Sequence, residues 1–332
     1  MSMVAQGTLT TVQRRAVGGA MLIGAAVAAL AFGGLLPWLV PTRIAMSLLA
    51  QAIFDALLAT SVGFLILQNG RVSFGQAAFF GLGGYTIGVL VARHWVSPEL
   101  AIVIALALPT LVAFLLGLVI ARITGVAHAM LTLAVGQAFY EVVFRWRELA
   151  KGDDGMSFDL PRQLFSLPAS GLQDPAFMMV LAWTILVLVL LALALFARSR
   201  IGQIAAAIRD NEERARFLGY STMMPRAVVY AIAAFIAAVA GVLSACYNGY
   251  IAPQMFHWSV SGFALIMAII GGAKFIVGPA IGAILLFYIK DYAGQFAEYW
   301  PAIVGIILVV VTLMMPRGVV GLVAAWTKRA QR

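Results

Sequence analysis

The chain has 332 residues, 63% hydrophobic and 11% charged, with a net charge of +9 and a mean hydropathy of +1.00. That hydropathy excludes an ordinary soluble domain, and the lack of short alternating segments excludes an outer-membrane barrel. The basic residues stand at the ends of apolar runs rather than among exposed aromatics, which argues for membrane topology and against nucleic-acid binding.

Taken in order, apolar runs long enough to cross a hydrocarbon core of ~30 Å cover residues 18–40, 44–67, 72–92, 99–121, 126–146, 176–197, 227–247, 258–274, 276–293 and 300–315. The expectation is an all-α, polytopic transmembrane helical bundle of about ten spans, forming one domain over residues 1–332. Arg14 and Arg15 ahead of the first run suggest a signal peptide. The run from Gly18 to Val40 is too long for one, however, and Ala29-Leu30-Ala31 lies inside it, so a retained helix is expected. Basic clusters at Arg14/Arg15, in the polar island 198–226, and at Arg317, Lys328, Arg329 and Arg332 all belong in the cytoplasm by the positive-inside rule. About six crossings before the island and about four after it satisfy that placement. Both termini and the 1–17 segment are then cytoplasmic, and the polar loop 147–175 is periplasmic. Residues 68–76, QNGRVSFGQ, read either as a tight turn or as a broken helix lining a cavity. Residues 276–293, with Gly278, Pro279 and Gly282 near their start, read as a tilted or half-spanning helix.

Chemistry within the chain is sparse. Cys246 is the only cysteine, so no internal disulfide forms. His94, His128 and His257 lack ligand spacing and no GxxxxGK[ST] loop occurs, so neither a metal centre nor nucleotide hydrolysis is expected. Asp55, Glu141 and His128 are noted as ionisable groups inside spans; neither acid has a second acid three or four residues away, which argues against a proton relay. Gly75, Gly81, Gly84 and Gly88 suit close helix packing, whereas Asn69, Ser73 and Gln76 bring polar groups to membrane depth beside them, where a translocation pathway is the other reading. Phe256, His257 and Trp258 read as an interfacial aromatic anchor.

The island, RSRIGQIAAAIRDNEERARFLGYSTMMPR, has Ile201, Ile204, Ile208, Ala215 and Leu218 on one helical stripe, interrupted by Asn211. Arg209 with Glu213, Asp210 with Arg214 and Glu212 with Arg216 are opposite charges at i,i+4 on the other face. Gly219 supplies a C-cap and Pro225 opens the next element. A short amphipathic helix follows, either lying on lipid headgroups or docking on a partner.

VSFGQAAFFGLGGY at 72–85, AIRDNEERARFLGYS at 207–221, GGAKFIVGPAIGA at 271–283 and MPRGVVGL at 315–322, in this order and spacing, resemble the LivM-type permease subunit of branched-chain amino acid ABC importers. The resemblance extends from about residue 44 onward. It implies a bacterial inner-membrane protein that pairs with a second, LivH-like permease, two cytoplasmic ATPase subunits and a periplasmic solute-binding protein, amid membrane lipid and without nucleic acid. ATP-Mg would sit on the ATPases; this chain would hold no cofactor and no catalytic residue. The segment matching 207–221 is the family's coupling helix, which points to Ile208, Arg209, Asp210, Asn211, Glu212, Arg216 and Gly219 as the ATPase contact. Asn69, Ser73 and Gln76, with Phe79, Phe80 and Tyr85 as apolar lining, are the pathway candidates. Two departures stand out: KGDDG at 151–155 keeps only Asp154 and Gly155 of a family motif, and Ala273 and Lys274 interrupt a glycine-rich run, the lysine serving as a helix-end cap. The resemblance implies a solute that is a branched-chain amino acid or a similar small amphiphile, selected mostly by the binding protein. The alternative is a stand-alone, ion-coupled secondary transporter.

Overall fold

The computed structural model describes residues 2–40, 42–159, 163–164, 167–296 and scattered positions between 302 and 322. Its long elements are α1 (Ser2–Leu39), α2 (Arg43–Asn69), α3 (Gln76–Ala92), α4 (Pro98–Ile120), α5 (Val126–Arg145), α7 (Pro175–Arg198), α10 (Met223–Asn248), α11 (Trp258–Gly271) and α12 (Gly278–Phe296), with α6 (Arg147–Ala150) a single turn. The island folds as α8 (Arg200–Asp210) and α9 (Glu212–Phe217). Strand β1 (Met156–Ser157) pairs antiparallel with β4 (Tyr250–Ile251), and β2 (Gln163–Leu164) with β3 (Leu167–Pro168). Local chemistry sets the helix starts: Ser97 caps α4 and Asp174 caps α7, each followed by a proline in the first turn, where no backbone N–H is required.

Six of these helices are long and apolar enough to cross a membrane: Met21–Leu39 within α1, then α2, α4, α5, α7 and α10. The protein is therefore a multi-pass, all-α membrane protein. α2 and α10 form its antiparallel centre. Most of their length is buried, and the Asn69 side-chain amide at the end of α2 donates to the Arg226 carbonyl at the start of α10 at 3.3 Å. α3 and α4 pack on α10, while α7, α11 and α12 pack on α2. Outer helices show the pattern a bilayer demands. On α4 the small Ala101, Ala105, Ala113 and Gly117 face inward, and Val103, Leu111, Leu115 and Val119 are exposed, as lipid contacts must be.

Nine expected spans fall on helices, and the tenth, 300–315, lies mostly outside the described residues. α1 begins at Ser2, so the 1–17 segment continues into the first span as one helix. Residues 70–75 are a tight turn and not a broken helix. α3 and α11 are short, about 25 Å and 21 Å at 1.5 Å per residue. α12, about 28 Å long, is more than a half-span. Its glycines serve close approach: a Cβ on Gly271 would collide with the Gly278 carbonyl, and one on Gly282 with the Met267 carbonyl. Lys274 is exposed in the connecting turn, and Gly272 rather than Lys274 occupies the C-cap of α11.

Candidate functional site

The island is where the chain concentrates charge, and its build differs from a single amphipathic rod. Asn211 leaves helical geometry (φ −158°, ψ 102°), ends α8, and caps α9 by accepting from the Arg214 N–H at 2.8 Å. The break turns α9 away from the line of α8. A stripe continuous at 3.6-residue spacing therefore does not continue in space. Ile208 and Ala215 are buried as expected, but Ile201 is exposed and Leu218 is 70% exposed, which removes both from the buried stripe. Phe217 at 90% and Tyr220 at 51% join Leu218 to make an apolar tip beyond Ala215.

Behind that tip lies an ionic knot. The Arg226 guanidinium donates through both terminal nitrogens to the two Glu212 oxygens at 2.7 Å each, in the planar fork that only arginine offers. Arg216 donates to Glu212 Oε1 at 2.6 Å, and Arg71 stands 3.8 Å from Oε2. Arg71 and Arg226 also both donate to the Ala121 carbonyl, at 3.0 and 3.3 Å, where the last carbonyls of α4 have no partner within the helix and carry partial negative charge. Five pieces of chain thus meet: the end of α2, the 70–75 turn, the end of α4, α9 and the start of α10. Hydrogen bonds from Arg226 hold the Glu212 carboxyl below the usual carboxylate range, and burial pulls Arg71 down to about 10, still charged at neutral pH. With the side chains of Arg71 and Arg226 both nearly buried, Glu212 is the group that makes their burial tolerable.

The coupling candidates divide accordingly. Ile208 is buried and the partly exposed Glu212 turns its carboxylate onto Arg226, so both hold the island to the bundle. Arg209 does not pair with Glu213. It binds Asp210 at 2.8 Å and donates to the Leu67 carbonyl, covering the free end of α2. Asp210, Asn211, Arg216 and Gly219 are exposed. The sequence reading passed over Arg71 and Arg226, although an arginine inside QNGRVSFGQ and one directly after Pro225 were visible signals.

The six pathway candidates sit together, but as a closed seam. Asn69, Ser73, Gln76, Phe79, Phe80 and Tyr85 are all buried. The Phe79 ring meets Tyr230 of α10 edge-on at 5.6 Å, and Tyr85 meets Phe256 at 5.3 Å. Ser61 Oγ reaches Gln76 Oε1 at 3.5 Å, while Ala77 N–H donates to Ser261 Oγ at 2.7 Å. The glycines between them serve packing: Gly83 lies on the Ala238 backbone and Gly81 on the Phe256 ring. Phe256 is fully buried against α3, which corrects its reading as an interfacial anchor; Trp258 remains exposed and His257 caps α11.

At the far end, the KGDDG segment is stitched to the chain that follows α10. Tyr250 Oη donates to the Asp154 carbonyl at 2.9 Å, Gln254 to Asp153 Oδ1 at 3.2 Å, and β1 pairs with β4. Among the ionisable groups noted inside spans, Glu141 pairs with Arg145 at 3.1 Å near the end of α5, and His128 is buried with Nδ1 3.1 Å from the Val72 carbonyl. Asp55 shares a cavity with Lys290, a residue the sequence reading missed although it lies inside a predicted span. Among the described residues no group of three or more potential metal ligands occurs.

Comparison with known proteins fits this architecture. The chain is 26% identical over 282 residues to the high-affinity branched-chain amino acid transport system permease protein LivM of Escherichia coli K12, covering 79% of this chain and 66% of that protein. It thus spans just under two thirds of that relative. LivH of the same organism is 32% identical over 148 residues, covering 43% of this chain and 47% of its own length. BraD of Pseudomonas aeruginosa is 30% identical over 150 residues, covering 44% and 48%. No solved structure matches. The family model described as branched-chain amino acid transport system, permease component, matches residues 44–312, and with it the chain belongs to that family of permeases.

Proposed function

We propose that this chain is a permease subunit of an ATP-driven importer in the bacterial inner membrane. It moves branched-chain amino acids, or a similar small amphiphilic solute, by alternating access. Its partners are a second LivH-like permease, two cytoplasmic ATPase subunits that bind ATP-Mg, and a periplasmic solute-binding protein. The chain itself catalyses nothing.

The observation that carries this reading is the build of the island. Phe217, Leu218 and Tyr220 form an apolar tip among the exposed Asp210, Glu213, Arg214 and Arg216, the anatomy of a docking patch with a polar rim. The tip is rooted through Glu212 in Arg226 of α10 and Arg71 of the α2–α3 turn. A push on it therefore reaches the two helices, α3 and α10, that close the seam over Gln76, Phe79 and Tyr85. In this reading Asn69, Ser73, Gln76, Phe79, Phe80 and Tyr85 line the route only when those helices part. The basic residues of the island support a cytoplasmic placement for this end and a periplasmic one for residues 147–175.

The test is a reconstituted assembly carrying Phe217→Ser, Leu218→Ser and Tyr220→Ser together. Solute-stimulated ATP hydrolysis is expected to fall by about tenfold or more, as for loss of a docking hot spot, with the unfolding temperature of the isolated subunit unchanged. Undiminished stimulation would overturn the docking role. Full uptake by the chain alone, in liposomes without any ATPase, would replace the importer with the ion-coupled transporter.

A further inference from the structure

α1 is loosely held. Its span, Met21–Leu39, packs chiefly on α7, where Trp183 donates to the Ala29 carbonyl at 2.9 Å and lies against Gly33. α12 leans instead on α2 and α11. Between α1 and α12, floored by α7, is a groove of about 450 Å³ whose walls include Leu22, Ala26, Leu190, Ala194, Ile276 and Ile281. Every residue lining it is apolar apart from the indole N–H of Trp183, and the Ala29 carbonyl already takes that group. A polar solute finds nothing to bind there, and water lacks the polar partners it needs.

The groove occupies one half of the membrane. α2 and α7 run in the same direction: Arg43 stands 3.8 Å from Asp174 where they start, and the rings of Phe64 and Phe196 meet at 5.6 Å near where they end. Along α7 the groove reaches from Trp183 to Ala194, about 16 Å at 1.5 Å per residue. That is about half of a ~30 Å core, the depth reached by the chains of one leaflet, and Ala194 puts it on the side of the polar island. A helix is about 10–12 Å thick, and the groove's volume spread over that length leaves a slot roughly half as wide. A single acyl chain is the occupant of that width. Two cations stand at the island end of the slot. Arg198 follows Ala194 at i+4, as Ala194 follows Leu190, so it carries the lining stripe of α7 one turn beyond the groove. Lys274 lies two residues before Ile276, in the turn ahead of α12, whose Pro279 lies on Gly63 of α2, next to Phe64. Both cations are exposed, and neither has a salt bridge among the described residues.

We propose that this groove binds an anionic phospholipid from the leaflet on the island's side, with one acyl chain between α1 and α12 and the phosphate on Arg198 and Lys274. Burial of the chain supplies affinity, and the two cations supply the choice of headgroup. The lipid then fills the gap between α1 and α12 and ties the loosely held first span to the bundle. The site is independent of the solute carried.

The experiment gives the purified, delipidated full chain either phosphatidylglycerol or phosphatidylcholine with the same acyl chains, and counts bound lipid by native mass spectrometry. Phosphatidylglycerol should be retained about tenfold more tightly than phosphatidylcholine, as expected of two basic groups near a membrane surface. The variant Arg198→Gln/Lys274→Gln should lose that preference while its lipid-free unfolding temperature stays at the wild-type value, since neither cation has a salt bridge to lose. Ala194→Phe puts a ring into the groove and should lower retention of both lipids. Ala25→Phe repeats that test from the opposite wall, at an exposed position where the fold has no packing to lose. Equal retention of the two headgroups by the wild type, or a preference that survives Arg198→Gln/Lys274→Gln, would overturn the proposal. So would unchanged retention in both phenylalanine variants; if those variants instead blocked assembly with a second permease, the groove would be a protein interface.

Discussion

α2 and α10 end alike and are then held differently. Each finishes in Asn-Gly, with Gly70 and Gly249 in the left-handed conformation (φ 65° and 61°) that lets the chain turn out of a helix without a Cβ penalty. Because the two helices are antiparallel, the turns lie at opposite ends of the bundle. The turn after Gly70 is held by ions: Arg71 on Glu212 and on the Ala121 carbonyl, with Arg209 beneath. The turn after Gly249 is held mainly by neutral contacts, the β1–β4 bridge, Tyr250 on the Asp154 carbonyl and Phe256 sunk against Gly81, with Gln254 on the Asp153 carboxylate as a charge-assisted addition. Charge-assisted contacts respond to pH and to a docking partner; a packed aromatic and a backbone bridge do not. In the proposed importer, the first end is the one a partner could act on, and the second is the one that would stay shut until the bundle moves.

The largest effect should come from the neutral end. Phe256→Ala empties a fully buried ring site and is expected to cost about 3–5 kcal/mol, read as a lowered unfolding temperature in detergent. At the ionic end, Glu212→Gln leaves Arg71 and Arg226 without their carboxylate, and a loss near 3 kcal/mol is expected. The same pair of variants separates the ends by pH. Glu212 titrates lower in the folded chain than in the unfolded one, so its contribution is complete above the unfolded value of about 4.3 and fades as pH falls through the folded value. The stability gap between wild type and Glu212→Gln should therefore close on acidification, while the gap to Phe256→Ala should not. Gly249→Ala should cost about 1–2 kcal/mol for the left-handed backbone alone. Gly70→Ala should cost more, because its Cβ would stand 2.7 Å from Arg209 Cγ. Smallest is Tyr250→Phe, about 1 kcal/mol for one hydrogen bond; no change there would mean that water replaces the phenol and that the β bridge alone holds the turn.

The bundle was legible because a membrane span is a local property: an apolar run of some twenty residues announces itself wherever it occurs. The island's helical content was legible for the same reason. Its break was not read, although Asn211 followed by Glu212 and Glu213 is the signature of a helix start, with a capping side chain and acids in the first turn. Reading the stripe straight through Asn211 misplaced Leu218. Partners distant in the chain were beyond sequence pattern. Nothing adjacent to Glu212 announces Arg71 or Arg226, and nothing adjacent to Asp55 announces Lys290, because those meetings are made by the crossing of α2, α10 and α12. Phe256 was misjudged because an aromatic next to Trp258 looks interfacial, and only the glycine it packs against, Gly81 on another helix, shows otherwise.

The apolar tip of α9 also bears on how such a chain survives outside an assembly. Phe217 and Leu218 are among the most exposed large apolar side chains on the described surface, and unlike those of the outer helices they stand on the polar island between α7 and α10. If the tip docks on a partner as proposed, a subunit made in excess of that partner would present an unsheltered greasy knob to chaperones and proteases. Its cellular abundance should then be set by the supply of its companions, which makes stoichiometry a property written into three side chains.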